Sequence, residues 1–138
     1  MIYCFPGQIP CAKGWRGVKL QLIMEYVVME IIFNSFDPKT ITNIVHDRFL
    51  DAENIIWDKN SHHISFSYFS DPRGKVLEGV LLLKNVVDLF FADKEKIQYY
   101  DINLLKWIEK EKKISIITNV PLLFCVVVER FEMIITTV

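Results

Sequence analysis

The chain has 138 residues, of which 51% are hydrophobic and 24% are charged, and its formal net charge at pH 7 is −1. This composition excludes an intrinsically disordered chain, an acidic solvating tail and a basic protein that coats nucleic acid. The length predicts one domain, with a core large enough to fold without disulfides or metals. No cofactor is expected.

The first 23 residues differ from the rest. They contain Lys13, Arg16 and Lys19 and no acidic residue, so residues 24–138 carry a net charge of −4. Two of the five prolines and three of the five glycines also lie there. We interpret residues 1–23 as a basic N-terminal extension that could add one strand, and residues 24–138 as a single α+β domain.

Neither an export signal nor a membrane span is predicted. Pro, Gly and Gln interrupt the apolar residues at the start, and the longest apolar run is shorter than the ~20 residues that cross a bilayer. The cysteine count is odd, which favours reduced thiols and a cytoplasmic protein over a Cys4–Cys11 disulfide. Cys125, inside an apolar run, is expected to be a small buried hydrophobe.

The first half of the chain contains signals for a strand, a helix and a hairpin. Residues 18–24 alternate, which predicts a half-buried strand that could continue to Phe33. Asp37 before Pro38 is typical of a helix start, so a helix is expected over residues 38–48. A hairpin is expected from residues 52–57 and 62–69, because the second segment alternates after a polar turn.

The second half predicts more strands and one further helix. Strands are expected over residues 75–83 and 114–118, and residues 86–91 favour a strand over a helix because they are rich in Val and Phe. Asp101 is the expected cap of a second helix that reaches Lys112, with Leu104, Leu105 and Ile108 on one face. Residues 122–138 predict a long strand or a strand pair. Its first part, residues 122–128, is apolar on both faces, so a central place in the sheet is expected.

These elements together predict an α+β fold. A mostly antiparallel sheet of about six to eight strands would carry both helices on one face.

One polar cluster contains the residue types of a metal site. His46, Asp47 and His62 are the candidate ligands, and the adjacent His46-Asp47 pair is similar to the core of helical metal-dependent phosphohydrolases. Such enzymes need further ligands from several helices, and His62 and His63, as neighbours in a strand, would point to opposite faces. No metal site is therefore predicted.

Catalytic and nucleic-acid-binding motifs are missing from the sequence. It has no Gly-x-Ser-x-Gly elbow and no Gly-rich phosphate loop, and the main body is acidic where nucleic acid would require a basic stripe. Aromatic side chains are more numerous than one small core needs. We expect Tyr99, Tyr100 and Trp107 to contribute to a partner-binding surface beside the predicted second helix.

Short segments between Ile44 and Leu105 resemble a known pattern. They are His46-Asp47, Ile56-Trp57-Asp58, Ile64-Ser65-Phe66, Gly74, Glu78-Gly79-Val80-Leu81 and Asn85-Val86-Val87-Asp88-Leu89. The pattern is similar to that of small β-rich bacterial domains, several of which are immunity proteins of toxin systems. The resemblance implies a β-rich fold that binds a partner and does not catalyse a reaction.

The favoured function is therefore that of a bacterial-type cytoplasmic protein-binding domain, which neutralises a toxin or binds a similar protein partner. It would be a monomer or a homodimer, without nucleic acid or membrane partners. The alternatives are a β-rich domain that binds a small molecule in an apolar cavity and, after it, a metal-dependent hydrolase.

Overall fold

The computed structural model describes residues 18–23 and 26–138. The predictions for Cys4 and Cys11, and for most of the N-terminal extension, lie outside the described residues. No helix within the described ranges is long and apolar enough to cross a membrane.

Eleven strands and one helix form the described part of the chain. In chain order they are β1 (Val18–Ile23), β2 (Tyr26–Phe33), α1 (Pro38–Val45), β3 (Phe49–Asp51), β4 (Ile56–Asp58), β5 (His63–Phe69), β6 (Leu77–Leu83), β7 (Val86–Ala92), β8 (Tyr99–Ile108), β9 (Lys113–Thr118), β10 (Leu123–Val128) and β11 (Met133–Thr137).

The strands form two antiparallel sheets that share β8. The large sheet has the order β1-β2-β11-β6-β5-β3-β8, with β4 also paired to β5, and the small sheet has the order β8-β9-β10-β7. The start of β8 pairs with β3 and the rest pairs with β9. The shared strand therefore carries the chain of hydrogen bonds from one sheet to the other.

The core lies between the inner faces of the two sheets. Phe66 of β5 and Phe124 of β10 meet edge to face with their ring centroids 5.6 Å apart, and both are almost completely buried. Alternation along β5 buries Ile64, Phe66 and Tyr68 and leaves the residues between them partly exposed. Burial of apolar side chains on the inner face of a sheet is the main source of stability in such a fold.

The α+β prediction is wrong, because the described residues contain one short helix and are mostly antiparallel β-sheet. Residues 101–112 do not form the second helix, since they lie in β8 and the turn after it. A bulge explains the error. Ile102 pairs with Thr118 and Leu104 with Ile117, so Asn103 is an extra residue in β8. The buried residues Ile102 and Leu105 are thus three apart, a spacing that is typical of a helix.

Other predictions are confirmed. Helix α1 begins at Pro38, and the Asp37 carboxylate accepts a hydrogen bond from the Thr40 backbone N–H at 3.2 Å. The expected hairpin is β4 paired with β5. Strand β10 is central in the small sheet, between β9 and β7. Cys125 differs from its prediction, because its thiol is half-buried on the outward face of β10, 3.3 Å from Ser115 Oγ.

The chain passes between the sheets at two neighbouring points, after β6 and after β10. Asn85 has a φ of 57° in the first crossing, and its side-chain amide donates to Glu132 Oε1 in the second at 3.2 Å. The Lys84 ammonium lies 3.0 Å from Glu132 Oε2, and this contact holds the pKa of the Glu132 carboxyl below its ordinary value. The two crossings therefore hold each other in place.

Removal of residues 1–23 is expected to leave a domain that still unfolds cooperatively. The strand β1 ends the order of the large sheet and pairs only with β2, so its loss leaves all other pairings intact. Thermal unfolding of the 24–138 fragment, compared with the full chain, checks this. A broad, non-cooperative transition in the fragment alone would show that β1 is integral to the fold.

Candidate partner-binding site

Strand β8 separates the three aromatic residues that were predicted to form one partner-binding surface. Tyr99 and Tyr100 open the strand and Trp107 lies near its end. Because a strand rises about 3.3 Å per residue, Trp107 is roughly 25 Å from the tyrosines. One partner side chain cannot contact all three.

The two tyrosines have structural roles. Tyr100 is completely buried, and its hydroxyl donates to the Asp93 carboxylate. Burial and this hydrogen bond raise the pKa of the Tyr100 hydroxyl, which keeps its proton. The Tyr99 ring packs edge to face on Phe69 with centroids 5.8 Å apart and lies over Gly74.

Trp107 lines a pocket at the other end of the strand. The pocket has a volume of about 290 Å³ and collects residues from the loop before α1, the β8–β9 turn and the β10–β11 turn. Trp107 meets Phe131 edge to face with centroids 5.3 Å apart, and Phe131 meets Phe36 in the same way at 5.6 Å. We call this the Trp107 pocket. Its volume is just below the range of sites for drug-sized ligands, so it suits a single side chain.

The rim of the Trp107 pocket is charged. Lys112 and Arg130 lie on it together with Glu109. The Glu109 carboxylate accepts a hydrogen bond from Trp107 Nε1 at 2.6 Å. Arg130 is 69% exposed and its Nε lies 3.9 Å from a Glu132 oxygen, so its charge is largely available to solvent. The rim thus presents two cations and one anion on a body that is acidic as a whole.

His46 and Asp47, candidate metal ligands in the sequence, connect α1 to the bulge of β8. His46 Nδ1 lies 2.7 Å from the carbonyl oxygen of Asn103, the extra residue of the bulge, and therefore donates to it. The Asp47 backbone N–H donates to the Ile102 carbonyl at 3.0 Å. These contacts fix the helix end against the shared strand, which is a structural role.

The other two histidines lie where β5 begins, with His62 in the turn before the strand and His63 as its first residue. His62 has a φ of 58° and lies outside β5, so the prediction that His62 and His63 are neighbours within one strand is wrong. Both line a shallow depression of about 130 Å³ together with Glu129. Within the described residues, no three His, Cys, Asp or Glu side chains lie close enough to hold a metal ion.

A second pocket lies on the outward face of the large sheet, over β4, β5 and β6. It has a volume of about 250 Å³, and Ile56, Val80 and Leu82 form its apolar wall. Asp58 lies at one end, where its carboxylate accepts hydrogen bonds from the Ser61 backbone and hydroxyl at 3.2 and 3.0 Å. These bonds hold the pKa of the Asp58 carboxyl below its ordinary value, so this group is an unfavourable proton donor.

The sequence did not identify the other members of the Trp107 pocket. Phe36, Lys112, Arg130 and Phe131 come from three separate segments, and only the fold brings them to Trp107. One signal was present, because Phe36 directly precedes the N-cap Asp37, a position whose apolar residues often pack against the first turn of the helix.

Comparison with known proteins gives no relative: no family model matches the chain, and no curated protein or solved structure is significantly similar to it. The resemblance to small β-rich bacterial domains therefore stays a prediction.

Proposed function

We propose that this chain is a non-enzymatic protein-binding domain, which receives one apolar or aromatic side chain of an acidic partner segment in the Trp107 pocket. The observation that carries the proposal is the combination of three aromatic rings with Lys112 and Arg130 at one rim. Trp and Arg are the residue types that most often dominate binding energy at protein interfaces.

The charges of the rim select the chemistry of the partner. Exposed cations beside a pocket that contains three aromatic rings attract an acidic segment and orient it, while the rings supply the apolar contact area. Because Arg130 and Lys112 are exposed, their contribution should weaken with added salt. An acidic segment with one apolar anchor is therefore the favoured partner.

A toxin is the specific partner that the proposal includes, as the resemblance to immunity proteins implies. The free thiol of Cys125 suits the bacterial cytoplasm, where thiols stay reduced. Neutralisation would then occur by occlusion of the toxin surface and would need no catalytic group on this chain.

Two six-residue peptides test the proposal. Both contain one Phe near the centre, and they differ only in the residues on either side of it, which are acidic in one peptide and lysine in the other. We expect isothermal titration calorimetry to show at least about tenfold tighter binding of the acidic peptide. Arg130→Glu should weaken this binding about tenfold, since it reverses a charge at the rim. The matched control is Arg73→Glu, another exposed arginine in the turn before β6.

The two arginine variants distinguish an effect of the Trp107 pocket from an effect of net charge, because both change the charge of the chain by the same amount and only Arg130 lies at the pocket. Equal loss of affinity in both would show that only net charge matters and would contradict the site. Equal affinity of the wild-type protein for both peptides would contradict it as well.

A second candidate function is the binding of a small molecule, and it is favoured by the apolar pocket over β4, β5 and β6. The volume of this pocket, about 250 Å³, restricts it to a small ligand. Native mass spectrometry of the purified protein, with Val80→Trp to fill the pocket, tests this alternative. A bound mass in the wild type that is lost in the variant would support it.

A further inference from the structure

The outward face of the large sheet carries a row of apolar side chains. Strand pairing aligns five residues across β2, β11, β6, β5 and β4, which are in that order Ile32, Ile134, Leu82, Ser65 and Ile56. The pocket over β4, β5 and β6 is the far end of this apolar row. An antiparallel sheet that is covered on one face normally presents polar residues on the other. The apolar row is therefore typical of a face that is covered as well.

Several residues of this face are shielded from solvent. Glu30 and Thr136, which pair with each other, are both 6% exposed, and Leu82 is 8% exposed. All three alternate with core residues along their strands and so face away from the small sheet. Thr136 Oγ1 is buried and has no hydrogen-bond partner among the described residues. Burial on both faces is typical of a sheet that lies between two layers, and the small sheet provides one of them.

The strands of the large sheet also carry an excess of acidic residues. Outside the part of β8 that pairs with β9, their charged residues are Lys19, Glu30, Asp51, Asp58, Glu78 and Asp101. All the acidic residues except Glu78 face outward, since a residue beside each in its strand belongs to the core or packs against it. Lys84, which follows β6, is paired with Glu132 at 3.0 Å. The outward face is therefore acidic, even with Lys19 included.

The segment of residues 1–17 matches this face in charge, composition and position. It contains Lys13 and Arg16 and no acidic residue, and nine of its 17 residues are hydrophobic. Val18, the first residue of β1, pairs with Ile31, so the chain before Val18 reaches the sheet beside Ile32. Ile32 is the near end of the apolar row. The segment thus begins its path where the row begins.

We propose that residues 1–17 lie across the outward face of the large sheet and cover the apolar row, with the uncharged stretch Ile9 to Ala12 over β6 and β5. Strands β6 and β5 are three and four strand spacings from β1, which is roughly 14 and 19 Å. Cys11 lies six residues before Gly17, and six residues of extended chain span roughly 20 Å. Because the segment is tethered beside the face, its effective concentration is about millimolar, so weak contacts hold it there.

This arrangement regulates access to the pocket over β4, β5 and β6. Val80 and Leu82 in its apolar wall lie on β6, beneath the proposed path of the segment. A small molecule would reach this pocket only after the segment detaches. The Trp107 pocket shares no lining residue with the apolar row, so partner binding at Trp107 and docking of the segment are independent and can fail separately.

Disulfide trapping in the full chain tests the proposal. Cys4→Ser and Cys125→Ser leave Cys11 as the native thiol, and Val80→Cys adds a second thiol on the outward face of β6. Under mild oxidation, the intramolecular bond from Cys11 to position 80 should form at least about tenfold faster than the bond to a control position. The matched control is Val87→Cys on β7 of the small sheet, because Val87 is 57% exposed and more accessible than the half-buried Val80. Peptide mass mapping identifies each bond, and circular dichroism confirms that each variant is folded.

Charge reversal in the segment tests the electrostatic part of the proposal. Lys13→Glu with Arg16→Glu should slow the bond to position 80 about tenfold. Lys39→Glu with Lys110→Glu, which reverses two exposed lysines elsewhere, should leave the rate unchanged. Equal rates at positions 80 and 87, or equal slowing by both double variants, would overturn the proposal. A bond between position 80 and Cys11 of another chain would assign the face to a second copy and would overturn it as well.

Discussion

Substitution of Gly79 by alanine is expected to destabilise the fold by at least about 3 kcal/mol. Gly79 lies in β6 between β5 and β11, and a Cβ atom at this position would be 1.9 Å from the Thr136 carbonyl oxygen and 2.5 Å from the Tyr68 hydroxyl. The Tyr68 hydroxyl donates to the same carbonyl at 3.1 Å. Because glycine has no side chain, the space beside Gly79 is free for this buried hydrogen bond. Chemical denaturation of the variant measures the loss.

A double variant identifies the cause. Tyr68→Phe alone should cost about 1 to 2 kcal/mol, because it removes a hydrogen bond in a buried environment. Tyr68→Phe should not rescue Gly79→Ala, since the nearest atom, the Thr136 oxygen, belongs to the backbone and cannot move away. Rescue, or a Gly79→Ala variant as stable as the wild type, would contradict the packing described for this part of the core.

Substitution of Phe124 by alanine is expected to destabilise the protein by about 3 to 5 kcal/mol. Phe124 contacts Phe66 of the large sheet and Phe91 of β7, with centroid distances of 5.6 and 5.7 Å. Its loss therefore leaves a cavity at the junction of the two sheets. The free energy of unfolding from urea titration checks the prediction.

Phe90→Ala is the matched control for Phe124→Ala. Phe90 lies on the strand that pairs with β10, but on the outward face and 49% exposed. Its truncation should cost less than about 1 kcal/mol. Similar losses in both variants would mean that the inward and outward faces of the small sheet have been assigned incorrectly.

The sequence predicted those elements that are determined by residues close to one another in the chain. Asp37 and Pro38 define the start of α1 in the sequence as they do in the structure. The alternation in β5 likewise predicts the face that is buried. Strand β8 could not be predicted in this way, because the bulge at Asn103 shifts its alternation and because the contact that fixes the bulge comes from the distant His46.

The candidate site, like β8, depends on contacts between distant residues and could not be predicted fully from the sequence. Trp107 was singled out as an aromatic residue at a partner surface, but its pocket depends on Phe36 and Phe131, which are 71 residues before and 24 residues after it in the chain. No pattern of spacing in the sequence indicates that these three residues lie close together in the fold. Tyr100 was predicted to contribute to the same surface, yet its side chain lies completely in the core.

The indole N–H resonances of the tryptophans test the central claim most directly. Trp107 Nε1 donates to Glu109 at the rim of the Trp107 pocket, whereas Trp57 lies on β4 with the Lys59 ammonium 4.7 Å from its ring centroid. In a heteronuclear NMR titration with the acidic peptide, the Trp107 indole signal, assigned through Trp107→Phe, should shift progressively while that of Trp57 stays unchanged. An unchanged Trp107 signal at saturating peptide, or equal shifts of both signals, would contradict binding at this pocket.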